Sequence, residues 1–352
     1  MSRAPETAGV AAFDYPLPHD RIAQYPAARR EESRLLVLDR ATRALQHHIF
    51  RDLSDYLEAG DALVLNETRV LPARLLGRKP TGAKAEVLLV RPQHGDIAAD
   101  VWEALVRPGS RLRPGTRIEI GPDLQVEVLA SSPQGTRTVR LHTRGSIGEA
   151  IARHGQIPLP PYIQRAPVPE DAVRYQTVYA RLAGSVAAPT AGLHFTATLL
   201  ESLARSGVHL VRIVLHVGPG TFRPVESADV SQHRMHPEPY EVPVEAAETL
   251  NGVRAAGGRI WAVGTTVVRT LETMAQPDGT VRAGAGETTL FIRPPYRFRV
   301  VDRLITNFHL PRSTLLMLVC AFGGYEAVMH AYEEALRGGY RFYSYGDAML
   351  IL

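Results

Sequence analysis

Four short stretches concentrate glycine, small hydroxyl residues and histidine in patterns that could bind and process a small molecule. The first, His216-Val217-Gly218-Pro219-Gly220-Thr221-Phe222, follows the apolar run VHLVRIVL. It lacks the third glycine of a dinucleotide-binding loop, with Arg223 in that place, and Pro224 would break the helix that should follow. What remains is a close backbone approach suited to a ribose or a base edge, or a plain tight turn. The second, Val263-Gly264-Thr265-Thr266-Val267-Val268-Arg269, leads into a predicted helix. Free N–H groups and two hydroxyls there would suit an anion, although a threonine cap is the simpler reading. The third, Thr306 to Thr314, precedes the most apolar helix of the chain. Ser313 or Thr314 should cap that helix, whereas spacing assigns Asn307 and His309 no structural duty. The fourth, Ser185 to Phe195, is a small-residue loop that holds His194. Its imidazole suits acid–base work or a hydrogen-bonded place in the core.

Other chemistries find little support. His47-His48 and the pair His233 and His236 come without a cysteine pair or an HExxH motif, so no metal is expected. There is no Walker A sequence and no GxSxG elbow. Cys320 is the single cysteine and sits in an apolar run, which excludes an intrachain disulfide and disfavours a thiolate nucleophile. Lys and Arg number 40 against 36 Asp and Glu, a formal charge of +4. All the basic residues except Lys79 and Lys84 are arginines, which suit bidentate recognition of phosphate. Biased codon usage would produce the same balance, so the charge permits a nucleic-acid partner without demanding one.

The elements that must position these residues fall into three textures. The 352 residues, 45% hydrophobic and 22% charged, point to a globular chain of about two domains. No apolar stretch approaches the roughly 20 residues of a membrane helix. The first twenty residues lack a long apolar core and carry early acids, so no secretory leader and a cytoplasmic location are expected. Arg34–Asp39 and Ala62–Leu65 read as strands, with a short helix at Asp52–Glu58 between them. From Arg74 to Thr143 the pattern turns to period two, with strands at 85–91, 101–106, 117–120, 124–129 and 136–142 separated by Pro/Gly turns. That spacing suggests a small β-barrel. Ser146–His154 reads as a helix with a Ser146/Glu149 capping box, followed by the proline-rich IPLPPYIQRAPVPED. Beyond it helices are expected near 197–206, 244–256, from Thr266, 314–322 and 325–337. Strands are expected at 208–217, 259–263 and 290–293. The predicted fold is an α/β main domain with an inserted small all-β barrel domain. Residues 1–72 and 145–352 would make the catalytic part and 73–144 the barrel.

Several blocks together carry a resemblance. FDYPLPHDRIAQYPA (13–27), LNETRVLPARLLGRK (65–79), AAPTAGLHFT (187–196), HVGPGTFRPV (216–225), VGTTVVRTLE (263–272), ITNFHLPRSTLLMLVCAF (305–322) and YRFYSYGDAMLI (340–351) resemble the S-adenosylmethionine:tRNA ribosyltransferase-isomerases of queuosine biosynthesis. The likeness runs from about Phe13 to the C-terminus with the blocks in order. It implies transfer of the ribosyl part of S-adenosylmethionine to 7-aminomethyl-7-deazaguanine at the wobble position of a tRNA. The product is epoxyqueuosine, with release of adenine and methionine. It implies no cofactor beyond S-adenosylmethionine as cosubstrate, no metal and no membrane.

On this resemblance His194, His216 and His309 become candidates for proton transfer. Thr190, Gly192, Gly218, Gly220 and Thr221 are candidates to admit the substrate, and Thr265, Thr266 and Arg269 to hold its methionine carboxylate. Asn307 and Ser313 would bond the deazaguanine or ribose. Arg74, Arg78, Lys79, Arg297 and Arg299 would meet the anticodon loop, where single-stranded bases are read by stacking and edge bonds. A monomer is the expected state. Pro219 and Arg293-Pro294-Pro295 depart from the family pattern and stiffen their loops. A methyltransferase would share the cosubstrate but should carry a glycine-rich loop near the N-terminus, which is absent. A non-catalytic RNA-binding protein would explain the basic balance but not the polar loops.

Overall fold

Ala62–Asn66, Ile260–Val263 and Arg303–Asn307 are short runs in which almost every side chain is buried. Runs apolar on both faces belong in the middle of a parallel sheet, and there they lie. The computed structural model describes residues 9–133, 135–218, 220 and 230–352. Pro219 and Thr221, singled out above, lie outside the described residues. The main sheet has nine strands in the order 284–288, 238–242, 209–215, 62–66, 260–263, 303–307, 348–351, 34–38 and 45–49. The strands 209–215, 62–66, 260–263 and 303–307 run parallel, and the flanking pairs are antiparallel except 34–38 with 348–351.

Alternation along each strand divides the core in two. Leu36, Leu38, Val64, Ala262 and Leu304 face the helices 244–255, 265–274, 314–323 and 325–337. Leu35, Val37, Leu63, Leu65, Trp261 and Ile305 face the helix 197–205 and the short turns around Phe50 and Ala191. Covered on both faces, the sheet has only its strand ends left for a site. No single helix among the described residues is long and apolar enough to cross a membrane.

The second sheet closes on itself. Strands 74–78, 84–92, 101–107, 137–143, 124–131 and 117–121 follow one another antiparallel, and Arg78 pairs with Glu119 to join the last to the first. Gly155–Gln156 adds a short seventh strand beside 74–78. Trp102, Val87, Val126 and Val139 fill the barrel, with Ala150 and Ile151 of the helix 147–154 packed among them.

Local chemistry moved several elements from their expected places. Asp52 accepts from the backbone N–H of Ile49 at 3.1 Å, so the expected helix 52–58 is a 3-10 helix over Phe50–Asp55 instead. Ser146 precedes the helix 147–154 but makes no side-chain cap bond, so the capping box is absent. Residues 290–293 form no strand. Thr288 Oγ1 takes the Leu290 N–H at 3.2 Å and Arg269 Nε donates to the Leu290 carbonyl at 2.9 Å, drawing the chain off the sheet; the edge strand is 284–288. The proline-rich segment is pinned as a loop. Asp171 accepts from both Arg165 Nη atoms, from Val168 N–H and from Tyr345 Oη.

The entry into the strand 303–307 hangs on one carboxylate. Glu272, 7% exposed, accepts from the backbone N–H groups of Arg299, Val300 and Val301 at 3.0–3.2 Å. Glu272→Ala strands these buried donors and should lower unfolding free energy by roughly 2–4 kcal/mol. Urea unfolding measures it, and an unchanged midpoint would contradict the assignment.

Candidate functional site

The C-terminal ends of the four parallel strands carry Asn66, His216, Gly264 and Asn307, where open α/β sheets place their ligands. Asn66 ties the ends together. Its Nδ2 donates to Leu215 O at 2.9 Å and Thr266 Oγ1 at 3.3 Å, while its Oδ1 accepts from the N–H groups of Thr68 and Leu215. Gly264 caps the helix 265–274 with φ of 93°, a backbone conformation that favours glycine. Neither threonine caps that helix, contrary to the simpler reading above. Thr265 and Thr266 instead line a small pocket with Thr190, Asn307 and His309. A second pocket shares Thr190, Asn307 and His309 and adds Ser313, Tyr162 and Tyr343.

Asn307 joins the two buried histidines' surroundings. Its Nδ2 donates to Tyr343 O at 3.0 Å and faces His194 Nε2 at 3.2 Å. His194 Nε2 is therefore an acceptor, and Nδ1–H donates to Ser33 Oγ at 2.7 Å, whose hydroxyl continues to Arg30 O. Burial, then the charge of Arg341, with Arg30 adding to them, pushes His194 down to about 3. His309 Nε2 lies 2.7 Å from Thr306 Oγ1, and burial pushes it likewise to about 3. The Asn307 Oδ1 and Tyr343 Oη are buried without a hydrogen-bond partner among the described residues. Tyr343 has φ of 71° and stacks on Tyr162 with centroids 4.4 Å apart.

His216 stands apart from that pair. It lines a cleft of about 580 Å³ whose far wall is the barrel, through Trp102, Thr136 and Thr138. Its Nδ1 lies 2.8 Å from Thr68 Oγ1, and burial lowers its pKa. A Cβ on Gly184 would come within 2.7 Å of its ring, so glycine there lets the backbone lie against the imidazole. Val217 lines both this cleft and the Thr265 pocket, so the two spaces adjoin.

The remaining candidates divide. Gly218 lines the cleft and its N–H donates to Glu238 Oε1 at 3.1 Å. Arg269 is 3% exposed and bonded to the same carboxylate, so its charge is matched within the protein and not turned to a carboxylate ligand as expected. Gly192 serves packing: a Cβ there would meet Tyr179 Oη at 2.0 Å. Gly220 lies against the His236 ring in the same way. Ser313 Oγ caps the helix 314–323, accepting from Leu316 N–H at 3.2 Å and donating to Leu310 O at 2.7 Å. Arg74 pairs with Glu86 at 2.9 Å and Arg78 reaches Gly82 O at 3.0 Å. Lys79 is half-buried, while Arg297 and Arg299 are exposed on either side of Phe298. No cluster of three or more metal-ligating side chains occurs among the described residues. Ser33, Asn66, Thr68 and Tyr343 went unassigned. Asn66, Thr68 and Tyr343 lie inside the resembling blocks, whereas Ser33 carries no signal.

The chain is similar to known proteins over nearly its whole length. Residues 10–351 match the family model described as "Queuosine biosynthesis protein". A relative from Symbiobacterium thermophilum is 56% identical over 342 residues, 97% of this chain and 98% of its own. One from Thermus thermophilus is 53% identical over 353 residues, covering 98% and 99%. Both are named S-adenosylmethionine:tRNA ribosyltransferase-isomerase. A crystal structure from Thermotoga maritima, titled S-adenosylmethionine tRNA ribosyltransferase, aligns with a TM-score of 0.56 at 42% identity. It covers 97% of this chain and 100% of its own.

The depressed histidines set an acid limit on stability. The folded His194 stays neutral to about 3, while its unfolded ring titrates near 6.5. The unfolded state thus takes up the proton first, and stability present above 6.5 is lost as the pH falls toward 3. Each such histidine contributes a slope of about 1.4 kcal/mol per pH unit. His194→Asn should flatten the fall in unfolding free energy between pH 6 and 4 by about that slope, as read by urea titration. An identical slope in variant and parent would show that the ring protonates in the folded state.

Proposed function

The chain belongs to the queuosine biosynthesis protein family, and we propose that it is an S-adenosylmethionine:tRNA ribosyltransferase-isomerase. The observation that carries this reading is the convergence of the family blocks on two adjoining spaces at one end of the parallel strands. One is a nucleoside-sized cleft containing His216, and the other is a polar pocket around Asn307. The ribosyl part of S-adenosylmethionine goes to the aminomethyl group of 7-aminomethyl-7-deazaguanine at the tRNA wobble position. Epoxyqueuosine forms, and adenine and methionine leave.

The sulfonium acidifies the neighbouring 5′-carbon, so a base that removes a proton there generates an ylide. Ring rearrangement then expels adenine, which needs a proton in return. His216 is the best placed of the three histidines for the first proton transfer. It is neutral, half-buried, and held through Nδ1 by Thr68 with Nε2 left to accept the proton. His194 and His309 act as neutral bonding partners around Thr190, Thr265, Thr266 and Asn307. Gly218 lets the ribosyl part approach, and Arg269 works through Glu238 to set the Gly218 backbone.

The barrel of residues 73–144 is an insertion between 1–72 and 145–352, with the helix 147–154 packed into its core. Its junction residues Arg74, Arg78 and Lys79, with Arg297 and Arg299, meet the phosphates of the anticodon loop. The enzyme works as a cytoplasmic monomer with no cofactor besides its cosubstrate.

Nucleoside mass spectrometry after incubation with S-adenosylmethionine and tRNA bearing 7-aminomethyl-7-deazaguanine should show epoxyqueuosine and free adenine in equal amounts. A methylated nucleoside with S-adenosylhomocysteine would make it a methyltransferase, and tight tRNA binding without either product a binding protein. His216→Ala should cut turnover by about 100-fold or more while leaving the unfolding midpoint close to the parent's.

A further inference from the structure

Arg269 is matched by Glu238, which leaves the anionic part of the substrate without an assigned cation. Around His194 the charges do not balance. Arg341 and Arg30 both act on its ring, and Arg30 and Arg174 line a pocket with it. Arg165 is paired with Asp171 at 2.7 Å and Arg341 with Asp347 at 3.5 Å. Arg30 and Arg174 have no carboxylate within ion-pair distance among the described residues; the neighbouring Glu31 is held through Oε1 by Arg29 at 3.1 Å, and its Oε2 is buried without a partner among the described residues.

Both unpaired guanidiniums are fixed by backbone carbonyls. Arg30 donates from Nη1 to Leu193 O and from Nη2 to Val173 O, each at 2.9 Å. Arg174 donates from Nη1 to Ala28 O at 3.2 Å and from Nη2 to Ala27 O at 2.6 Å, and its Nε is buried with no acceptor. These bonds orient the two forks without neutralising them. Burial and then the charge of Arg174 lower the pKa of Arg30, against the opposing influence of Tyr345 and Tyr179. Both line one small pocket of about 20 Å³ with Ser33, His194 and Ser344. That is room for the oxygens of an oxyanion and far too little for a base or sugar.

We propose that Arg30 and Arg174 form an oxyanion subsite beside His194, taking a carboxylate or a phosphate of the substrate. This rests on the reading of the chain as an enzyme of S-adenosylmethionine and tRNA, which offers two sources: the methionine carboxylate and a backbone phosphate next to the wobble nucleotide. Two convergent guanidiniums suit either group through parallel N–H···O bonds. An anion there would also offset the positive field of Arg30 on His194.

The test compares the full-length protein with Arg30→Gln and Arg174→Gln by calorimetric binding of S-adenosylmethionine, its decarboxylated analogue and an anticodon stem–loop. A carboxylate source predicts S-adenosylmethionine weakened about 10- to 100-fold in each variant, with the decarboxylated analogue unaffected. A phosphate source predicts the loss on the stem–loop instead, with a salt dependence shallower by about one unit. Unchanged affinities for both ligands, or equal losses for S-adenosylmethionine and its decarboxylated analogue, overturn the proposal. Sulfate is the arm independent of the functional reading. At matched ionic strength against chloride it should raise the unfolding temperature of the parent more than that of either variant. Should the parent bind neither substrate, the functional reading falls and this arm decides: a sulfate shift equal in all three proteins rejects the subsite.

Discussion

The side-chain amide of Asn307 donates both of its hydrogens, one to the ring of His194 and one to the carbonyl of Tyr343. At 2% exposure no water competes for these bonds, so each donor must find a protein acceptor. Three consequences follow. The His194 tautomer is set, because the nitrogen facing a donor cannot itself carry hydrogen. Tyr343 is held at φ of 71°, a conformation that costs a bulky residue about 1–3 kcal/mol and persists only where its surroundings impose it. The amide oxygen is left over, buried without a partner, at the edge of a pocket.

The two ends of the parallel strands contrast in this respect. At the N-terminal end Asp61 accepts from Trp261 Nε1, from Arg259 N–H and from Glu58 N–H, and Asp302 accepts from Ile260 N–H. The polar groups there are matched, and the end is sealed. At the C-terminal end Asn66 is equally satisfied and clamps the strands, yet Asn307 and Tyr343 each keep an unused polar atom. Asn307 and Tyr343 both line the pocket that also holds Thr190 and His309, so their unused atoms lie where a polar ligand could meet them. The cleft beside the barrel adds the space that the small pockets lack, and Val217 is the residue common to both.

Five barrel strands were legible because alternation is their signal: Ala85, Val87 and Leu89 point inward and their neighbours outward; 74–78 and 155–156 were not expected. The helices 197–205, 244–255 and 325–337 were legible for the corresponding reason at a helical period. Strands 303–307 and 348–351 were not expected; like 62–66 and 260–263 they are four or five residues buried on both faces and show no period. The site was legible as blocks and not as geometry. His194 meets Ser33 across 161 residues and Asn307 across 113, and no local spacing encodes such a contact. Arg269 shows the limit best: a guanidinium one turn into a helix behind two threonines suggests an anion site, and only the arrival of Glu238 from the strand 238–242 reveals that the anion is already supplied.

The claim on which the account turns is the state of the His194 ring, and nitrogen-15 NMR of the imidazole reads it directly. At neutral pH the account predicts one protonated nitrogen, assigned to Nδ1, and one bare nitrogen, Nε2. In Asn307→Ala that fixed pattern should give way to exchange between tautomers. A ring protonated on both nitrogens at neutral pH, or one carrying its hydrogen on Nε2 in the parent protein, would contradict it.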